Sequence, residues 1–354
     1  MPNLNDLSIY PQLDPSGMWS RIANFPGQVK QAWEEPAHWN LPESYAQVNK
    51  VVLVGMGGSA VGGDLIADLL AFETKGCVFV VCRDYYLPGW VDQDTLVVLC
   101  SYSGNTLETL ACFHQALDRS AKVVVITSGG ILGNEAVSRN VPYLKIRYQG
   151  EPRTALGFSF LSPLGLLQQL GLIADKNEEI IECVTLLEDS AAYYLPECPS
   201  DNNPAKALAG LLSERMAVIY SGGFLGGVAR RWKTQINENA KTWAFVETLP
   251  ELNHNAIAGY QFPQAVAKNS FVVLLRSSLL QEEVVSLYPM TLAILERAGI
   301  DYQVVDAPGK TPLSQMLATI FRGDWVSYYL ALINGVDPSP VTAIDEIKSR
   351  LGGQ

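Results

Sequence analysis

The sequence predicts an α/β protein of two doubly wound parallel-sheet lobes with flanking helices, in α-β-α layers. Three observations carry that prediction. Short runs rich in Val, Leu and Ile alternate with helical patterns, as in parallel strands covered on both faces. Two glycine- and serine-rich turns, Gly55-Met56-Gly57-Gly58-Ser59 and Ser101-Tyr102-Ser103-Gly104-Asn105-Thr106, each follow such a run directly. The order of run and glycine turn then recurs in the second half of the chain, as a duplicated lobe requires.

Residues 1–45 mix helical patterns with several prolines and form a leading helical segment. Alternation begins at Val51-Val52-Leu53-Val54, a buried strand, with a helix over 60–70 after the first glycine turn. Val78–Cys82, Leu96–Cys100 and Lys122–Thr127 read as the next strands, with a helix over 106–118 after the second turn. These elements make up a first lobe over 46–152. Helices over 158–187 and the proline-flanked linker Glu197–Pro204 occupy a bridging stretch, 153–204. A second lobe fills 205–354, where Met216–Tyr220 leads into Ser221-Gly222-Gly223-Phe224-Leu225-Gly226-Gly227 much as Val51–Val54 leads into the first turn. Phe271–Arg276 echoes the strand at Leu96, and Tyr302–Val305 echoes the strand at Val123.

At 354 residues the chain exceeds one ordinary core, and 48% hydrophobic with 17% charged residues suits well-covered sheets. No run reaches the roughly 18 apolar residues that a membrane span needs. Met1–Asp6 has neither the positive start nor the apolar core of a secretory signal, so the protein reads as cytoplasmic. A net charge of −11 disfavours nucleic acid and anionic membranes as partners, so any phosphate has to be captured locally. The six cysteines lack Cys-x-x-Cys spacing and there are only His38, His114 and His254, which argues against disulfides and against a metal centre. The reading therefore includes no cofactor and no metal.

The turns are the chemistry-bearing feature. Gly55, Gly57 and Gly58 permit close backbone approach, and Ser59 adds a hydroxyl at a helix start, where the macrodipole contributes about half an elementary charge. A Gly-x-Gly-Gly run alone also fits a plain tight turn. The dinucleotide reading lacks its acidic residue at the end of the second strand; Asp84 comes nearest and is followed by Tyr85-Tyr86-Leu87-Pro88. The second turn says more, because Ser101, Ser103, Asn105 and Thr106 crowd four hydrogen-bonding side chains around Gly104 where helix capping needs one. The surplus suits the oxygens of a phosphate monoester.

Val54–Asp64 and Ser101–Thr109 resemble the sugar isomerase (SIS) fold, whose hydroxyl-rich loops bind phosphorylated sugars. Glu151-Pro152-Arg153-Thr154-Ala155-Leu156-Gly157, Asn237-Glu238-Asn239-Ala240-Lys241 and Leu249-Pro250-Glu251-Leu252-Asn253-His254-Asn255 narrow the match. With Gly335-Val336-Asp337-Pro338, they resemble the bifunctional phosphoglucose/phosphomannose isomerase family over nearly the whole chain.

That resemblance implies that Gly58, Ser59, Ser101, Ser103 and Thr106 hold the substrate phosphate. It implies Arg153 beside the sugar O1 and O2, Glu238 as catalytic base, and His254 as the ring-opening histidine contributed by the neighbouring subunit of a homodimer. The family's glutamate after Asn255 is Ala256 here. Lys348 matches a lysine that assists ring opening, and Thr342 is the nearest candidate for the small residue that leaves room for both C2 epimers. The implied reaction is metal-independent isomerisation of hexose 6-phosphates through a cis-enediol. A non-enzymatic sugar-phosphate sensor of the same fold and a glucose-only isomerase are the alternatives. The sensor reading lacks an appended basic helix-turn-helix and leaves Arg153, Glu238 and His254 together without a purpose.

Overall fold

The computed structural model describes residues 2–71, 73 and 77–352. The chain divides into two compact units, one of Asn24–Thr185 with Gly309–Ser314, the other of Met1–Ala23, Leu186–Pro308 and Gln315–Gln354.

The first unit is built on β1 (Lys50–Val54), β2 (Val78–Cys82), β3 (Thr95–Ser101), β4 (Lys122–Thr127) and β5 (Tyr143–Lys145). All pairings are parallel and the order is β2-β1-β3-β4-β5. Every residue of β3 is buried, as are Val51–Val54 of β1, which explains why these strands read as unbroken apolar runs rather than as alternating ones. Helix Gly58–Leu70 follows β1, Leu107–Asp118 follows β3 and Gly130–Ser138 follows β4. Gly62 lets the first of these pack closely on helix Leu156–Gln169, since a Cβ there would overlap the Ser159 carbonyl.

The second unit carries β6 (Met216–Gly222), β7 (Ala244–Leu249), β8 (Ser270–Arg276) and β9 (Asp301–Asp306), parallel and in the order β7-β6-β8-β9. With β6 taken as the counterpart of β1, this is the order of the first four strands of the other sheet. The expectation of two doubly wound parallel sheets is met.

Two strands escaped the sequence reading. The first is β5, only three residues long and directly preceded by Pro142. The second is β7, an edge strand whose Ala-Phe-Val-Glu-Thr-Leu run is interrupted by Glu247 and Thr248 and so lacks the continuous apolar signal of β6 and β8. No helix among the described residues is long and apolar enough to cross a membrane.

In each sheet the strand order reverses between the first strand and the third in the chain, opening a crevice beyond their carboxyl ends. In the first unit that switch point falls between β1 and β3, the strands that end in the two glycine- and serine-rich turns.

Candidate active site

The expected residues fall into two groups, one in each unit. In the first unit the two turns are locked to each other. Gly57 takes φ 51° ahead of helix Gly58–Leu70, a left-handed conformation that glycine adopts without cost. Ser59 is buried at the start of that helix, and its Oγ accepts the Tyr102 backbone N–H at 3.2 Å. Ser101, at the end of β3, is also buried; its Oγ lies 3.0 Å from Thr106 Oγ1 and accepts the Gly104 N–H at 3.1 Å. Ser103 is exposed, and its Oγ accepts the Asn105 N–H at 3.2 Å.

Thr106 stands at the N-cap of helix Leu107–Asp118, yet its hydroxyl makes no capping bond. It faces Ser101 instead. Asn105 accepts the Ile131 N–H at 3.0 Å, at the start of helix Gly130–Ser138. The hydroxyls of Ser59, Ser101, Ser103 and Thr106 thus gather beyond the carboxyl ends of β1 and β3, beside two helix starts. The donors and dipoles there match a phosphate dianion with no fixed cation required.

Arg153 lies with its backbone against the first turn. It lies buried in a short helical turn, Pro152–Thr154, between Glu151 and helix Leu156–Gln169. A Cβ at Gly58 would stand 3.2 Å from the Pro152 carbonyl oxygen and from Arg153 Cα, so the first turn lies directly on this segment. A small cavity is lined by Ser59, Ser101, Tyr102, Pro152 and Ser159 among others.

Tyr102 is the residue the sequence reading passed over. Its OH donates to Tyr148 O at 2.8 Å and accepts the Gly150 N–H at 3.2 Å, while Tyr148 OH donates to Thr154 Oγ1 at 2.9 Å. Burial raises the Tyr102 phenol above its ordinary pKa, so it stays a proton donor. Tyr102 therefore ties together the Ser59 turn, the Ser101 turn and the loop that carries Arg153. Its place between Ser101 and Ser103, where a spacer would serve, was the only signal available.

In the second unit Glu238 is half-buried in the last turn of helix Gly226–Ala240. The amides on either side of it anchor that turn: Asn237 Nδ2 donates to Thr242 O at 2.8 Å, and Asn239 Nδ2 to Ser327 Oγ at 2.9 Å. His254 ends a short helical turn, Glu251–His254, and its ring is exposed. The residues beside it fix the backbone, with Thr291 Oγ1 donating to Asn253 Oδ1 at 3.0 Å and Asn255 Nδ2 to Glu251 Oε1 at 2.7 Å. At Ala256, the position of the family's glutamate, the backbone N–H is held by Asn255 Oδ1.

Glu238 stands just ahead of β7 and His254 just after it, and the six residues of that strand span about 20 Å at 3.3 Å each. Thr342 and Lys348 are exposed on the terminal helix Thr342–Gly352. The structure therefore places Gly58, Ser59, Ser101, Ser103 and Thr106 on two interlocked turns with the Arg153 backbone against the first, and sets Glu238 and His254 in the chain on either side of β7.

Two parallel sheets of one strand order, the first with a hydroxyl-rich crevice at its switch point, agree with the sugar isomerase (SIS) fold. Residues 44–170 match the SIS domain model, and residues 201–351 match the model described as the bacterial phospho-glucose isomerase C-terminal SIS domain. The chain is 36% identical to the bifunctional phosphoglucose/phosphomannose isomerase of Caldicellulosiruptor bescii, over 94% of this chain and 98% of that one. It is 35% identical to the protein of the same name from Aquifex aeolicus, over 85% and 90% of the two chains. A crystal structure of a glucose-6-phosphate isomerase-like protein from Thermus thermophilus shares the fold, with a TM-score of 0.64 at 20% identity over 99% of both chains. The chain belongs to the bifunctional phosphoglucose/phosphomannose isomerase family.

Proposed function

We propose that the protein is a metal-independent aldose–ketose isomerase that interconverts glucose 6-phosphate, and mannose 6-phosphate, with fructose 6-phosphate through a cis-enediol. The observation that carries this reading is the interlocked pair of turns at the β1/β3 switch point, in a chain that aligns over nearly its whole length with isomerases of that name. Gly58, Ser59, Ser101, Ser103 and Thr106 hold the phosphate. Arg153 faces O1 and O2 and stabilises charge as the enediolate forms.

The substrate ring opens first, with His254 and Lys348 moving a proton between the ring oxygen and the anomeric hydroxyl. Glu238 then removes the proton from C1 or C2 and returns it to the neighbouring carbon. The enediol has lost the stereochemistry at C2, so return to either face yields the gluco or the manno aldose.

The separation of Glu238 and His254 along β7 supports a homodimer in which each site takes its histidine from the other copy. β7 is an edge strand with Trp243 exposed just ahead of it and Phe245 exposed on it, as a strand covered by a partner needs. The acidic chain works in the cytoplasm, with neither nucleic acid nor membrane as partner.

A coupled assay with fructose 6-phosphate tests the reading. Both aldose phosphates are expected, and Glu238→Gln is expected to lower kcat by about 10² to 10⁴ with KM nearly unchanged. Wild-type turnover in that variant contradicts the assignment of the base. Binding without turnover by the unmodified protein indicates a sensor instead.

A further inference from the structure

Two sequence motifs remain without a task in this mechanism: Lys241, which closes Asn237–Lys241, and the Gly335–Pro338 segment. They meet. Lys241 Nζ donates to Glu238 O at 2.7 Å and Asn239 O at 3.3 Å, the carbonyls at the end of the base-bearing helix, and to Pro338 O at 3.1 Å across 97 residues of sequence.

Lys241 also holds φ 55° as the left-handed C-cap of that helix. Glycine is the usual residue there because it carries no Cβ. A lysine at this position is accounted for by its ammonium, which satisfies carbonyls that the helix leaves open. Asn334 Nδ2 reinforces the joint by donating to Ala240 O at 3.0 Å and Thr242 Oγ1 at 2.9 Å.

The chain beyond Pro338 makes the joint consequential. Every residue of the terminal helix from Thr342 to Arg350 is exposed, including Ile344 and Ile347. Since Thr342 to Arg350 offer no buried face, this helix takes its starting point from the segment before it, which Lys241 holds at Pro338 and which Ser16 and Arg21 hold at Ser339.

We propose that Lys241 is a positioning residue of the isomerase: it clamps the Glu238 end of its helix to Pro338 and so sets where the Lys348-bearing helix begins. The proposal rests on the reading of Glu238 and Lys348 given above. Because an ångström of misplacement can cost up to about a hundredfold in rate, loss of the clamp is expected to lower kcat by about tenfold or more.

The test compares the full-length enzyme with Lys241→Gly and Lys241→Met, by kcat and KM for fructose 6-phosphate, thermal unfolding, and hydrogen exchange across 335–348. Glycine relieves the left-handed backbone, so the Gly variant is expected to match or exceed the parent Tm. Both variants are expected to lose kcat with KM within about twofold, and to exchange faster at 335–348 while β6 and β8 stay protected. Three results overturn the proposal: unchanged kcat in either variant, unchanged exchange at 335–348, or a fall in kcat that merely tracks a fall in Tm. The Glu238→Gln enzyme separates the two claims. Wild-type turnover there sinks the assignment of the base, whereas the exchange result at 335–348 does not depend on it.

Discussion

Ser59, Ser101 and Thr106 spend part of their bonding capacity on one another's loops, which fixes the hydroxyls before a ligand arrives. Preorganised donors lose less freedom on binding than mobile ones. The close approach of Gly58 to Pro152 and Arg153 belongs to the same arrangement. Adding one methyl group there pushes against backbone, and Gly58→Ala is expected to raise KM for fructose 6-phosphate by about tenfold, or about 1.4 kcal/mol of binding, in steady-state kinetics. Tyr102→Phe removes the hydroxyl that bridges Tyr148 and Gly150. A loss of about 1 kcal/mol is expected, read as a fall of about 2–4 °C in Tm together with a raised KM.

The two interlocked turns were legible in the sequence because glycines and surplus hydroxyls crowd directly after an apolar strand run. Tyr102 was not, since nothing local shows that a tyrosine will bond to a loop 46 residues later. Asn237 and Asn239 flank Glu238 in the motif, but the sequence does not show what they bond to. Their bonds to Thr242 and Ser327 anchor the helix end, which only the tertiary structure reveals.

At the scale of elements, helix Gly226–Ala240 is held along its length by helix Pro312–Ile333. Arg231 pairs with Asp324 through two hydrogen bonds of 3.1 and 2.9 Å, with both side chains buried. Trp232 Nε1 donates to Thr319 O at 2.9 Å, and its ring fills the space where a Cβ on Gly323 would go. Gly323→Ala is therefore expected to destabilise the protein by about 1–3 kcal/mol through overpacking. Asp324→Ala, which removes the buried partner of Arg231, is expected to cost about 3–5 kcal/mol. Chemical denaturation checks both, and a variant as stable as the parent contradicts this account of how the helix is fixed.

The central strands were readable because burial on both faces leaves a run of Val, Leu and Ile with no polar interruption. β7 was not, because an edge strand keeps one side in solvent and admits Glu247 and Thr248. The repeat of strand order between the two sheets was foreshadowed by the Ser221–Gly227 turn after β6, even though β7 itself was missed.

At the scale of the whole molecule, the proposed dimer makes a prediction that no single chain satisfies. Glu238→Gln and His254→Ala enzymes should each be nearly inactive, yet co-expression should restore activity. Random pairing gives one intact site in each mixed dimer, hence about one quarter of the parent rate for a symmetric two-site assembly. Absence of any recovery in a co-expressed, size-verified dimer contradicts the exchange of His254. The dimer reading depended on resemblance in the sequence and gains support only from the folded chain, because the length of β7 between the two residues is a property of the sheet.

Proton NMR of fructose 6-phosphate incubated with the enzyme in D₂O tests the central claim most directly, with the parent and Glu238→Gln proteins run side by side. The account predicts that the parent forms both glucose 6-phosphate and mannose 6-phosphate with deuterium entering at C2, and that the variant forms neither at a comparable rate. Equal formation of both aldoses by the variant would contradict it.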